Sequence, residues 1–339
     1  MKLTRILNID QRKVSNRVVL SDNIILLIVF IGIFLLFSLL SNKFYSYMNL
    51  NIMLKHMVLM GILAVGLTPL MISGGIDLSF GSNLSLSTVI MALLYDKGIN
   101  LWVSIFIGVL LTILIGFING VFIEMFGILP ILFTLGMMSV LLSVALVMAS
   151  FQYADIKMVT QTSQSIAIYS DELYIFANSS FLKIPIPVFI LVILVIFFWI
   201  ILRFTRLGRR IFAIGGNINI SKLFGIRVKK IRILLYSIFG LLTGFAAIMS
   251  ISLTGIGYPY SGAHLLLPVI SAVVLGGISL LGGKGSIFGT LLGLLIMSVI
   301  FNGLTILNVH TFYIQTFQGL TMIIVVATYE VRRRRSLNR

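Results

Sequence analysis

The sequence predicts an all-α, polytopic membrane bundle of about ten transmembrane helices with both termini in the cytoplasm. Three observations carry this. Of 339 residues, 59% are hydrophobic and only 10% charged, where a soluble domain carries about 25% charged residues. The apolar residues fall in runs close to the ~20 needed to span a bilayer. The cations are sorted between alternate connections, as the bias of membrane topology requires.

The runs are taken in order. Spans are expected at 24–40, 53–73, 81–95, 101–123, 130–150, 186–202, 231–253, 265–281, 286–306 and 311–328. The first is followed by Ser41-Asn42-Lys43-Phe44 and not by a small-x-small cleavage site, so it reads as a retained span. The third and eighth are short and adjoin Gly-rich sequence, which suits re-entrant or broken helices. Pro130 and Pro187 stand near span starts, where a missing N–H costs little. Pro69 and Pro268 fall inside spans and predict a kink or break there.

This division gives a cytoplasmic N-terminal segment at 1–23, a transmembrane domain at 24–328 and a basic cytoplasmic tail at 329–339. With the N-terminus inside, 20 of the 25 Lys and Arg lie on the cytoplasmic side, Arg332 to Arg335 among them as an anchor. Only Lys43, Lys55, Lys97, Lys157 and Lys183 lie outside. The net charge of +16 is spread between apolar runs, with no basic stripe interleaved with aromatics, so nucleic acid is not an expected partner. The expected environment is the lipid bilayer, which serves as solvent. The longest outer segment, 151–185, carries Asp155, Lys157, Asp171 and Glu172; it reads as a cap on the bundle, a docking point for an external partner, or a plain connector.

Chemistry is sparse. There are no cysteines, so disulfides, thiolate nucleophiles and Cys-held metals are impossible. His56, His264 and His310 form no zinc-helix pair and read as solvated residues near the outer surface. Gly282-Gly283-Lys284-Gly285-Ser286 lacks the Ser or Thr next to Lys that a phosphate loop needs. No catalytic residue, metal ligand or cofactor site is expected, and no enzyme activity. A proton relay is poorly supported, since only Asp77 and Glu124 among the acids approach a span.

Polar residues within or beside spans are candidates for a pathway or gate: Asp77, Ser79, Asn119, Asn302, Gln315 and Gln318. Asp77 also reads as the N-cap of span three, and the amides as interhelical hydrogen-bonding groups. Small-residue stripes, Gly116/Gly120, Gly240/Gly244 and Gly285/Gly289/Gly293, predict close helix packing. Gly74-Gly75-Ile76-Asp77-Leu78 recurs as Gly276-Gly277-Ile278-Ser279-Leu280, a weak repeat.

Nine Lys and Arg lie from Arg203 to Arg232. Within this stretch Asn217 or Asn219 caps a short helix, Gly225 stops it, and Ile218, Leu223 and Phe224 offer apolar knobs beside Lys222. The element suits a groove on a cytoplasmic partner; a solvated topology loop is the alternative reading.

A family resemblance goes further. Gly74 to Ser82, Asn119-Gly120, Thr134 to Ser139, Ala213 to Asn217, Leu223 to Ile226, Ala272 to Leu280, Gly282 to Ser286 and Asn302 to Leu304 occur in one order. With these, the chain resembles the inner-membrane permeases of ATP-binding-cassette importers for ribose, xylose, galactose and related sugars. The resemblance implies a pair of permease protomers (homo- or heterodimer), a cytoplasmic ATPase that binds the ATP, and an external solute-binding protein that delivers a sugar or sugar-like solute. It implies that Gly215, Gly216, Asn217, Ser221, Lys222, Leu223, Phe224 and Gly225 belong to the loop touching the ATPase. Two departures stand out: Leu266-Leu267-Pro268 replaces an acidic Glu-Leu-Asp element, and Ile220-Ser221 replaces paired alanines. A branched-chain amino-acid permease of the same class, or a passive channel for small neutral solutes, is the alternative.

Overall fold

In a computed structural model of the chain, residues 22–150 and 165–337 are described. They form thirteen α-helices and two minimal two-stranded ribbons. The expected N-terminal segment 1–23 is outside the described residues except for its last two, as are Asp155 and Lys157, and so are the side chains of the Arg332 to Arg335 anchor.

The helices are α1 (Asp22–Leu40), α2 (Tyr47–Ile72), α3 (Phe80–Asp96), α4 (Leu101–Phe126), α5 (Pro130–Ser150), α6 (Asp171–Asn178), α7 (Ile186–Phe204), α8 (Arg206–Gly216), α9 (Ile218–Leu223), α10 (Val228–Thr254), α11 (Leu266–Leu275), α12 (Ile287–Ile306) and α13 (Thr311–Leu337). Among the described residues, seven helices are long and apolar enough to cross a membrane: α1, α2, α4, α5, α7, α10 and α12. Each of the ten expected spans overlaps a helix, but α3, α11 and α13 are not among these seven, and α3 has only 17 residues and α11 only 10. Span eight is thus a broken element: α11 stops at Leu275, and 276–286 run on without helix.

Local chemistry sets the ends. Ser46, Asn100, Ser170, Thr205, Asn217 and Ser286 each accept a backbone N–H of the helix they open. Gly127 and Gly255 close α4 and α10 in the left-handed conformation. Pro130 and Pro187 sit at the first two positions of their helices, as expected. Pro69 does fall inside α2. Pro268 falls in the first turn of α11 and not in a helix interior, so its missing N–H has no helical acceptor to lose and no kink follows.

α2 and α10 form the centre and are buried over most of their length, whereas α1 is almost wholly exposed to the surroundings, as a lipid-facing helix must be. α10 lies against α4 and α2, and α3 packs on α4, α5 and α10. The glycine stripes explain the α4–α10 crossing. A Cβ on Gly116 would stand 2.4 Å from the Tyr236 carbonyl oxygen, and one on Gly240 2.4 Å from that of Thr112. Only hydrogen fits there, and in lipid such close approach replaces the missing hydrophobic drive. Gly289 and Gly293 let α12 approach α11 in the same way. Gly285 is not part of that stripe, because it precedes α12 and belongs to the irregular segment.

α1 straps onto α12 through Phe37, Phe44 and Val299, a small satellite of the main core. The described part of the long connection between α5 and α7 packs over one end of the bundle. α6 buries Leu173 and Ala177 and packs on α10 and α7, and Ile166–Ala167 pairs antiparallel with Ile256–Gly257. Outside the spans, a hydrogen bond from Ser170 Oγ holds the exposed Glu172 carboxyl below its usual pKa range.

Candidate functional site

Two polar places stand out, at opposite ends of the bundle. One gathers around the turn between α2 and α3. α2 ends in a Schellman turn: Gly74 N–H donates to Met71 O at 2.9 Å and Gly75 N–H to Leu70 O at 3.0 Å, with Gly74 at φ 80°. α11 ends the same way through Gly277 and Ile278, donating to Val274 O and Val273 O. The weak sequence repeat is therefore a real repeat of conformation, though displaced by one residue, since the left-handed glycine is the first of one pair and the second of the other. The two irregular segments then pack on each other. Gly283 N–H donates to Ile72 O at 2.8 Å.

Asp77 is buried in this turn. Its Oδ1 accepts Ser79 N–H at 2.7 Å and Ser79 Oγ–H at 2.6 Å. Its Oδ2 accepts Asn119 Nδ2–H at 3.1 Å, and the same amide donates to Ser79 Oγ at 2.9 Å. Asp77 therefore does not cap α3. Ser79 is the N-cap residue and makes no side-chain cap bond, while Asp77 folds the preceding turn two residues early. The expected set Asp77, Ser79 and Asn119 is brought together, and each side chain is engaged with the others. Burial raises the Asp77 carboxyl pKa, and the bonds from Ser79 and Asn119 pull it back.

Charged partners that sequence reading did not pair lie beside it. Arg232 on α10 forms a 2.6 Å ion pair with Glu124 on α4 and donates from Nη2 to Gly74 O at 2.7 Å. Tyr236 Oη–H donates to Ile76 O at 3.0 Å. The signal was present: Glu124 is the one acid of α4, and Arg232 is the last cation of α10, set just inside Lys229 and Lys230 at the start of its apolar run.

The basic stretch reaches the same place. α8 is amphipathic, with Arg206, Arg209 and Arg210 exposed and Ile211 and Ile214 buried. Its last residues, Gly215 and Gly216, press on Ile72 and Gly283. Asn217 then caps α9, accepting Asn219 N–H at 3.0 Å and Ile220 N–H at 3.1 Å, and Gly225 at φ 73° ends it. Of the expected knobs, Leu223 is 86% exposed and Phe224 81%. Ile218 is half-buried and packs inward, so it is not one; Ile220 takes that place. Ser221 is buried and Lys222 exposed. A recess of about 490 Å³ beside α9 is lined by Arg210, Arg227 and Lys230.

The other place is a cavity of about 430 Å³ between the first half of α2 and α11, α12 and α13. It gathers Asn302, Gln315 and Gln318 with His56, His264 and Ser298 against an apolar wall including Met60, Leu265 and Phe301. His56 and His264 thus line a common cavity, a grouping their spacing does not disclose, and His310 is not part of its lining. Asn302 is only partly free for a solute: it exchanges reciprocal amide bonds with Asn49, at 2.8 and 2.9 Å. The Ser298 hydroxyl is buried with no protein partner. Among the described residues, no cluster of three His, Cys, Asp or Glu is placed to hold a metal.

Known proteins match this chain over most of its length. The family described as branched-chain amino acid transport system / permease component matches residues 49–326. The ribose import permease of Bacillus subtilis (strain 168) is 34% identical over 300 residues, covering 88% of this chain and 90% of that protein. The ribose import permease of Escherichia coli (strain K12) is 34% identical over 90% of this chain and 91% of its own length. The autoinducer 2 import system permease of Yersinia enterocolitica is 31% identical over 92% of each. No solved structure matches significantly.

Proposed function

The chain belongs to the branched-chain amino acid transport system / permease component family, and from that premise we propose that it is the membrane-spanning subunit of an ATP-driven importer for a monosaccharide or sugar-like solute. The sugar-type relatives favour this over an amino-acid substrate. The protein is a multi-pass inner-membrane permease and performs no chemistry on its cargo. The ATP is bound by a separate cytoplasmic subunit, an external binding protein delivers the solute, and a second protomer completes the pathway.

The observation that carries the reading is α9. A capped short helix presents Leu223 and Phe224 almost fully to solvent, among cations and directly after α8, whose Gly215 touches Ile72. Large exposed apolar side chains at a rigid, charged surface fit an interface anchor. The basic recess beside it suits acidic side chains of the ATPase. This end of the bundle faces the cytoplasm by the distribution of Lys and Arg. Solute enters at the opposite end, where Asn302, Gln315 and Gln318 line the outer cavity. A cavity of about 430 Å³ with a few amides on an apolar wall suits a small polyol.

The test is reconstitution in liposomes. Uptake of labelled ribose that needs ATP, the ATPase and the binding protein together is expected. Uptake by the permease alone, without ATP, would select the passive channel.

A further inference from the structure

We infer that Arg232 and Tyr236 are positioning residues that fasten the α2–α3 turn to α10, so that the turn follows α10 when α9 is displaced. The inference rests on the reading of α9 as the element the ATPase moves, and it concerns how that movement enters the bundle.

The turn 73–79 is the stretch between α2 and α3 without a helical ladder, so its placement depends on the hydrogen bonds that reach it from its neighbours. It hangs from α10 by two hydrogen bonds. Arg232 Nη2 donates to Gly74 O at 2.7 Å, and Tyr236 Oη donates to Ile76 O at 3.0 Å. Arg232 and Tyr236 are one helical turn apart and face the same way. α10 begins at Val228, directly after α9 and its Gly225 stop, and Ile226 N–H donates back to Ser221 O at 3.1 Å. The path from Phe224 to Gly74 is therefore short and made of rigid helix and hydrogen bonds.

On its far side the same turn holds Asp77, bonded to Asn119 of α4. The Arg232 guanidinium also reaches α4 through Glu124. One side chain thus bridges three elements. A well-packed apolar residue would give equal or better stability than a buried ion pair, so stability alone does not explain an arginine here. Arg232 Nε is buried without a partner. Such a donor is unspent in this arrangement and available to a second one, as a two-state element requires.

The experiment uses the whole complex of permease, ATPase and binding protein in liposomes, and reads both ATP hydrolysis and solute taken up per ATP. Tyr236→Phe removes one hydroxyl. Arg232→Lys keeps the charge beside Glu124, but a single ammonium cannot reproduce the two-pronged bridge. Each variant is expected to hydrolyse ATP within about twofold of the parent while solute moved per ATP falls about three- to tenfold, the worth of one hydrogen bond. If one variant does not fold, the other decides. An unchanged ratio in a folded variant overturns the inference, as does a loss of hydrolysis and uptake in equal proportion. Failure of the parent chain to bind the ATPase would instead overturn the reading on which the inference rests.

Discussion

Gly215 lies so close to Ile72 that a Cβ built on it would stand 1.8 Å from the Ile72 carbonyl oxygen and 2.4 Å from Gly283 N. Those two atoms are themselves hydrogen-bonded at 2.8 Å. The end of α8, the end of α2 and the segment after α11 therefore meet at backbone contact, with no side chain between them.

Gly215→Ala forces these backbones apart, and neither is the flexible end of a side chain. Overpacking of this kind costs about 1–3 kcal/mol. The expected result is a lower melting temperature in detergent and reduced uptake. Gly216, where an added Cβ meets nothing within 4 Å, is the control: Gly216→Ala is expected to melt within a degree or two of the parent. Equal melting of the two variants would refute the contact.

Phe224→Ser and Leu223→Ser act at the other extreme. Both side chains are exposed, so folding should not notice them. An interface anchor lost from the ATPase contact costs about 2 kcal/mol or more, roughly a thirtyfold loss in affinity. The measurement is ATPase retained by the tagged permease on purification, alongside thermal melting. Full retention of the ATPase by the double variant would remove α9 from the interface.

Asp77→Asn keeps the shape and replaces one acceptor oxygen by an NH₂ group. Whichever way the amide turns, it meets either the Asn119 amide donor or the Ser79 pair with a donor of its own. A buried unsatisfied donor costs about 1–3 kcal/mol. The protein is expected to reach the membrane but melt lower and transport more slowly. Parental melting and uptake together would show that the carboxylate is dispensable.

Much of this was legible in the sequence, and the reason differs by element. Long apolar runs are self-sufficient signals, since each helix satisfies its own backbone in lipid; α1, α2, α4 and α10 follow from them directly. Asn217 and Gly225 bracket α9 because capping depends on neighbours in sequence. The break after α11 follows from its glycines. What failed to show were pairings at a distance. Arg232 and Glu124 are separated by 108 residues, and a topology count treats the arginine as one more cation. Asp77 reads as a cap because it stands two residues before the N-cap position, and the turn spends its carboxylate on Ser79 instead. Ile218 differed from Leu223 only by the direction in which a one-turn helix points it, which its sequence neighbours do not determine.

The cavity between α2, α11, α12 and α13 is lined by amides in two different settings. Asn302 and Asn49 satisfy each other, and Asn49 also donates to Phe44 O at 2.7 Å, so this pair locks the entry of α2 to α12. Gln315 and Gln318, one turn apart on α13, line the same space. A double-mutant cycle of Asn49→Ala and Asn302→Ala should give a coupling of about 0.6–2 kcal/mol in melting experiments, the worth of an interhelical hydrogen bond in a membrane protein. Gln315→Ala and Gln318→Ala should leave melting unchanged and instead raise the solute concentration for half-maximal uptake several-fold, since each removes a donor and an acceptor from the wall of the cavity. A cycle with no coupling would show that the Asn pair is not a clasp. Unaltered uptake in both Gln variants would take the solute path away from this cavity and return these side chains to packing against the neighbouring helices.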